Sequence, residues 1–203
     1  MMNKQGSLIL LIGPSGSGKG TILKELLLTP INTFLSVSAT TRKPRPGETD
    51  GESYFFLKQD KFKELIATDS MLEYANYCGN FYGTPKTAVL DRISKGENVI
   101  LEIEVQGAKQ IKKMYPTAVL IFIIPPSLTE LKHRLIDRNT EDKETVKARL
   151  NAALDEIKFA YECDYVVIND TISKAVEEIK AIISAQSCSS HIMKEFIDEV
   201  LRG

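Results

Sequence analysis

The chain has 203 residues, a hydrophobic fraction of 43%, a charged fraction of 26% and a formal net charge of −1. Those proportions fit one substantial globular domain with smaller insertions, and the near-zero balance gives no support to a general affinity for nucleic acid or acidic membranes. Cys78, Cys163 and Cys188 are scattered and odd in number; they lack zinc-site pairing and disulfide-scaffold density, so idle thiols in a reducing cytoplasm are expected.

Leu8 to Ile12 is a continuous apolar run bounded by glycine, the pattern of a buried parallel strand and too short for a signal peptide or a membrane span. Ile22, Leu23, Leu26 and Leu27 then recur at helical spacing up to Pro30. Three further buried strands are predicted at Val99–Ile103, Val119–Ile124 and Tyr165–Ile168, with a weaker one around Phe34–Val37. Helical patterns fill 107–114, 128–138, 144–160 and 173–185. Strands alternating with helices predict an α/β fold in three layers, with a parallel central sheet. The stretch from Thr40 to Thr87 breaks that rhythm, is rich in Gly, Pro, Tyr and Phe, and reads as an inserted lobe. Beyond Ser187, Ile192, Phe196, Ile197, Val200 and Leu201 outline a short amphipathic helix of mixed charge, suited to packing on this domain or on a partner subunit.

Between the first strand and first helix lies Gly13-Pro14-Ser15-Gly16-Ser17-Gly18-Lys19-Gly20-Thr21, which fits the phosphate-loop pattern G-x-x-x-x-G-K with Gly20 where Ser or Thr is usual. Glycines let successive N–H groups turn inward on an anion, the helix adds the positive end of its dipole, and Lys19 adds a full charge. A plain glycine-rich turn is the alternative, and this spacing arises by chance in roughly one protein in twenty. The entering strand, the leaving helix and the third glycine favour a nucleoside triphosphate. Gly20 leaves two options for Mg²⁺, which a Ser or Thr hydroxyl normally touches: Thr21 takes that role, or phosphates, water and a carboxylate hold the ion.

The segment from Ser38 to Glu48 packs Arg42, Lys43 and Arg45 around two prolines. Solvated basic turns are common, yet hydroxyls beside fork-shaped guanidinium groups suit a phosphate monoester. Ser38-x-Thr-Thr-Arg42-x-Pro-Arg45-x-Gly-Glu48, Gly51-x-x-Tyr54-x-Phe, Glu73-Tyr-Ala, Gly79-Asn-x-Tyr82-Gly83-Thr84 and Leu101-Glu102-Ile-Glu104-x-Gln106-Gly107-Ala108 follow the loop in order. Together with Pro125-Pro126-Ser127 and the arginines beyond, these motifs resemble guanylate kinase over about residues 6 to 185.

The resemblance implies a core of 6–37, 88–128 and 151–186, a mixed α+β GMP-binding lobe of 38–87, a helical lid of 129–150 and a tail of 187–203. It implies that Arg42, Arg45, Tyr54 and Tyr82 hold the GMP phosphate, and that Glu73, Ser38 and Thr84 face guanine. One carboxylate can accept from guanine N1–H and N2–H₂ together, whereas adenine has no N1–H donor. Glu102 and Glu104 stand at period-two spacing in and just beyond an apolar strand, which points to a site at the sheet's carboxyl edge. The family usually has Asp at 104, so the reach of Glu104, to guanine or to metal-bound water, is open; Glu102 is a candidate to hold metal through water. Arg134, Arg138 and Arg149 match lid arginines closing over the triphosphate, with Asn139 in place of a usual Gly. Asn169 and Asp170 match positions near adenine. The expectation is transfer from ATP to GMP with Mg²⁺ in the cytoplasm. Two rivals are a related kinase acting on a ribose phosphate and a non-catalytic scaffold of the same fold; the Ser38, Glu73 and Thr84 constellation opposes the first and Lys19 opposes the second.

Overall fold

The computed structural model describes residues 5–77, 79–136 and 143–203. A five-stranded sheet runs in the order β2 (Thr33–Leu35), β7 (Asn98–Glu102), β1 (Leu8–Ile12), β8 (Val119–Ile124), β9 (Tyr165–Ile168). Every neighbouring pair in it is parallel. The expected strands lie within a residue of these bounds except the first edge strand, which ends at Leu35. The apolar runs read as they do because both faces are covered, so each side chain has a buried destination.

Alternate residues of β1 show the two layers. Leu8, Leu10 and Ile12 join Leu101, Phe122 and, from α4 (Val105–Met114), Ala108 and Ile111. Ile9 and Leu11 join Ile22, Leu23 and Leu26 of α1 (Lys19–Leu27) and Val176, Ile179 and Ile183 of α7 (Ile172–Gln186). Full burial of a branched aliphatic side chain contributes about 1.5–3 kcal/mol, so this double-sided sheet is the rigid floor of the molecule.

A second sheet, β4 (Phe55–Phe56), β3 (Ala39–Thr40), β6 (Asn80–Pro85), β5 (Met71–Tyr77), is drawn entirely from the inserted stretch. Helix α2 (Gln59–Ala67) lies on it, its fully buried Phe62 stacked 5.4 Å from Phe81. Helix α3 (Lys86–Ser94) leads back to β7. The sequence patterns gave neither α2 nor α3, because each buries one residue fully, Phe62 and Val89, and so leaves little periodicity. Helices α5 (Leu128–Ile136) and α6 (Lys143–Lys158) pack through Leu131, Leu135 and Ala153. Helix α8 (Lys194–Arg202) closes the chain and buries no residue.

Candidate active site

The loop 13–18 joins the buried end of β1 to the start of α1, at the carboxyl edge of the parallel sheet, where open α/β folds bind ligands. Gly16 and Gly18 take φ of +88° and +92°, conformations that cost little only for glycine. A Cβ on Gly18 would also overlap the Asn169 amide. Lys19 folds its ammonium back onto the carbonyl oxygens of Gly13 at 2.5 Å and Pro14 at 3.4 Å. Ser17 is buried within the loop, while Ser15, Gly20 and Thr21 are exposed.

The loop is clamped from behind. Asn169, buried at the end of β9, donates its amide to the Ser17 carbonyl at 2.7 Å. Arg134 donates to the carbonyl oxygens of Asn169 at 3.1 Å and Ser17 at 3.4 Å, held by Glu130 at 2.8 Å. Arg149, on α6, donates to the Ser15 hydroxyl. Two of the arginines assigned to the lid therefore touch the loop; Arg138 and Asn139 lie outside the described residues. The amide of Asn169, the residue expected near adenine, is bonded to the loop.

Across the cleft, the basic turn after β3 is shaped by a residue with no assigned role. Glu48 accepts both arms of the Arg42 fork, at 2.8 and 3.0 Å, and the Arg45 backbone N–H at 2.7 Å. The Arg42 guanidinium, then the Arg45 backbone donor, pull the Glu48 carboxyl down to about 2. Glu48, followed by Tyr82, raises Arg42 further. Arg42 lies 5.5 Å from the Tyr54 ring, and Tyr54 meets Tyr82 edge-on at 6.2 Å. Arg42, Tyr54 and Tyr82 thus converge, with the exposed Arg45 beside them. The Arg42 fork expected to face a phosphate is directed at Glu48.

Glu73, on β5, is 5% exposed and accepts the Thr84 hydroxyl of β6 at 2.8 Å. Burial raises its carboxyl to about 7; the Thr84 bond opposes that shift and the Glu104 charge adds to it. Ser38 is half-buried at the entrance to β3.

Glu102, at the end of β7, is reached by solvent yet sits in a crowded cleft. That crowding raises its carboxyl, Lys19 lowers it and Glu104 raises it. Glu156 of α6 is raised by burial and by Glu104 and lowered by Lys19. Tyr54 is raised by burial, then by the Glu102 charge, so the lobe faces the sheet edge. Glu48 stands in the basic-turn motif with no role legible from sequence, and Glu156 looks like any helix acid.

No cluster of three metal-ligating side chains exists among the described residues. A Mg²⁺ ion fits nonetheless, since it ordinarily binds substrate phosphates and water with only one or two carboxylates. Glu102, whose ionised form such an ion would favour, is the nearest match, and Thr21, two residues after Lys19, is exposed. The thiol of Cys163 is raised to about 12, mainly by burial, and is no nucleophile at neutral pH.

A glycine loop under a Lys, arginines behind it and a second hollow of Arg and Tyr define a P-loop phosphotransferase acting on a phosphorylated acceptor. The family model described as guanylate kinase matches residues 5–186. Guanylate kinases of Clostridioides difficile and Desulfitobacterium hafniense are 48% and 49% identical over 199 and 188 residues, covering 98% and 93% of this chain and 97% and 94% of theirs. The crystal structure of guanylate kinase from Anaplasma phagocytophilum superposes with a TM-score of 0.78 at 33% identity, covering 94% of this chain and 90% of that one. The chain belongs to the guanylate kinase family.

Proposed function

We propose that the chain transfers the γ-phosphoryl group of ATP to GMP, and also to dGMP, giving ADP and the diphosphate, as a cytoplasmic step of purine nucleotide metabolism. The observation that carries the base assignment is the buried Glu73 carboxylate beside Thr84. A buried carboxylate without a partner of opposite charge is costly, and a ligand offering two adjacent N–H donors offsets that cost. Guanine does so; adenine leaves it unmet.

In this reading, loop residues Gly13 to Thr21 bind the triphosphate, with Arg134 and Asn169 holding the loop in shape. The lobe 38–87 takes the acceptor, Arg42, Arg45, Tyr54 and Tyr82 meeting its phosphate and Ser38, Glu73 and Thr84 its base. With phosphate bound, Glu48 lies behind Arg42 and fixes the guanidinium plane. Glu104 stands close enough to Glu73 to act on its charge and belongs to the guanine side.

The acceptor phosphate is already an oxyanion, so the chain need supply no general base; it needs alignment and neutralisation of charge. Lys19 and Arg149, with Arg138 from the lid 129–150, stabilise the charge on the moving group. Glu102, through water, and the Thr21 hydroxyl would hold Mg²⁺ together with the substrate phosphates, and the ion would supply further neutralisation of phosphate charge. Closing of lid and lobe excludes water.

An ADP-release assay with ATP against GMP, dGMP, AMP and UMP tests the assignment. Turnover is expected with the two guanine nucleotides; turnover with AMP and none with GMP overturns the base reading. Lys19→Ala is expected to cut kcat at least about a hundredfold, and near-parental turnover refutes the role of the loop.

A further inference from the structure

Strand β5, which carries Glu73, is an edge strand: the second sheet ends on it. Its residue Tyr74 lies opposite Gly83 in the antiparallel ladder. The Tyr74 backbone N–H and C=O instead engage a side chain of the core. The Gln110 amide of α4 donates to the Tyr74 carbonyl at 2.9 Å and accepts the Tyr74 N–H at 3.3 Å. One donor and one acceptor on the same planar group reproduce what a neighbouring strand would offer, so Gln110 caps the open edge at one point. Only one orientation of the amide satisfies both bonds, because the backbone N–H cannot accept and the carbonyl cannot donate.

One turn earlier on the same helix, Gly107 abuts the Glu73 side chain. A Cβ there would lie 2.9 Å from the carboxyl carbon. Helix α4 packs Ala108 and Ile111 into the core of the main sheet. Glu73 is therefore held at two points by one rigid element, Gly107 bounding its side chain and Gln110 holding the backbone of the next residue, Tyr74.

We infer that Gln110 is a positioning residue for base recognition: its amide clamps β5 to the core helix and sets where Glu73 stands relative to the acceptor base. The inference rests on Glu73 reading guanine. Its chemistry predicts a split in the kinetics. The Gln110 side chain bonds the backbone of Tyr74, next to the base reader, and the residues it holds belong to the acceptor lobe rather than to the glycine loop. Loss of the clamp acts on acceptor binding and base choice, and leaves the donor nucleotide untouched.

Gln110→Met keeps the length of the side chain and deletes both bonds, so it is the main test in the full chain. The KM for GMP is expected to rise about tenfold and the preference for GMP over IMP and AMP to fall about tenfold. The KM for ATP, and kcat at saturating GMP, stay within about twofold. Gln110→Glu restores the acceptor but sets a charge against the Tyr74 carbonyl, and is expected to be at least as impaired as Gln110→Met. An unchanged KM for GMP in either variant, or equal losses for ATP and GMP, overturns the inference. Glu73→Gln, measured alongside, separates the failures. If it loses guanine preference while Gln110→Met keeps it, the clamp alone is wrong; if Glu73→Gln keeps the preference, the base reading fails and the clamp's role falls with it.

Discussion

Glu73 is the residue at which stability and function pull apart. Its carboxyl titrates near about 7 in the fold, mainly because it is buried, against an ordinary carboxylate value of about 4.3 in the unfolded chain. A raised folded value favours the protonated form, so the contribution to stability is complete below the unfolded value and is lost as pH rises through about 7. At pH 8 the ionised, buried group costs the fold on the order of 2–3 kcal/mol. Glu73→Gln removes that charge and keeps the shape. Urea unfolding is expected to show the variant more stable than the parent at pH 8, with the gap closing by pH 4. An equal difference at both pH values contradicts the assignment of that proton to Glu73. The same substitution replaces one of the two acceptor oxygens by an amide donor, so, in the proposed reading, the stabilised variant is expected to lose the preference for guanine.

Glu48 shows the opposite case. Its carboxyl is held down to about 2 by Arg42 and the Arg45 backbone, so its charge persists throughout the working range. Glu48→Gln is expected to weaken the Arg42 fork and raise the KM for GMP with little change in the KM for ATP. Steady-state kinetics varying each nucleotide in turn decide it, and equal rises in both constants contradict a role confined to the acceptor hollow.

At the scale of elements, the glycine loop is legible in sequence because its constraint is local. A left-handed backbone at Gly18, a strand before it and a helix after it all appear as residue types at fixed spacing. The parallel strands are legible for a related reason: burial on both faces leaves no polar interruption. Helices α2 and α3 were missed because a single deep anchor in nine residues, Phe62 or Val89, gives no period to read. The clamps behind the site were missed because their signal lies in pairing across long separations. Gln110 reaches Tyr74 over 36 residues and Asn169 reaches Ser17 over 152. The resemblance implies a place near adenine for Asn169, and the fold bonds its amide to the loop. That contact makes Gly18 doubly constrained, by φ and by the Asn169 amide. Gly18→Ala is expected to cost about 1–3 kcal/mol of stability and most of the affinity for ATP. Thermal unfolding with and without ATP checks this: the parent gains stability from the nucleotide, and a variant that gains as much refutes the role of Gly18.

For the molecule as a whole, the two ends of the main sheet do different work. The carboxyl edge carries Lys19, Glu102 and Asn169, and the second sheet faces it. At the other end, the starts of the strands border a cavity of about 700 Å³ lined by Leu8, Val119, Tyr165 and, from the tail, His191 and Ile192. The Lys112–Asp164 ion pair at 2.9 Å closes its wall. Helix α8 follows these tail residues in the chain and leaves Phe196, Ile197, Val200 and Leu201 between 41% and 79% exposed. Among the described residues no helix is long and apolar enough to cross a membrane. A helix that buries no residue adds little to the fold, since surface groups away from packing ordinarily contribute within about 0.5 kcal/mol. The tail residues before it, His191 and Ile192, line the cavity at the end of the sheet away from Lys19, Glu102 and Asn169. Removal of residues 194–203 is therefore expected to shift the midpoint of thermal unfolding by no more than about 2 °C. Both nucleotide KM values are expected to stay within about twofold, because no group that meets either nucleotide in the proposed site belongs to the tail. Calorimetry and steady-state kinetics on the shortened chain test the two halves separately. A large loss of stability would mean that α8 is packed more firmly than its exposed apolar face indicates. A changed KM with an unchanged midpoint would mean that the far end of the sheet is coupled to the cleft through the strands themselves.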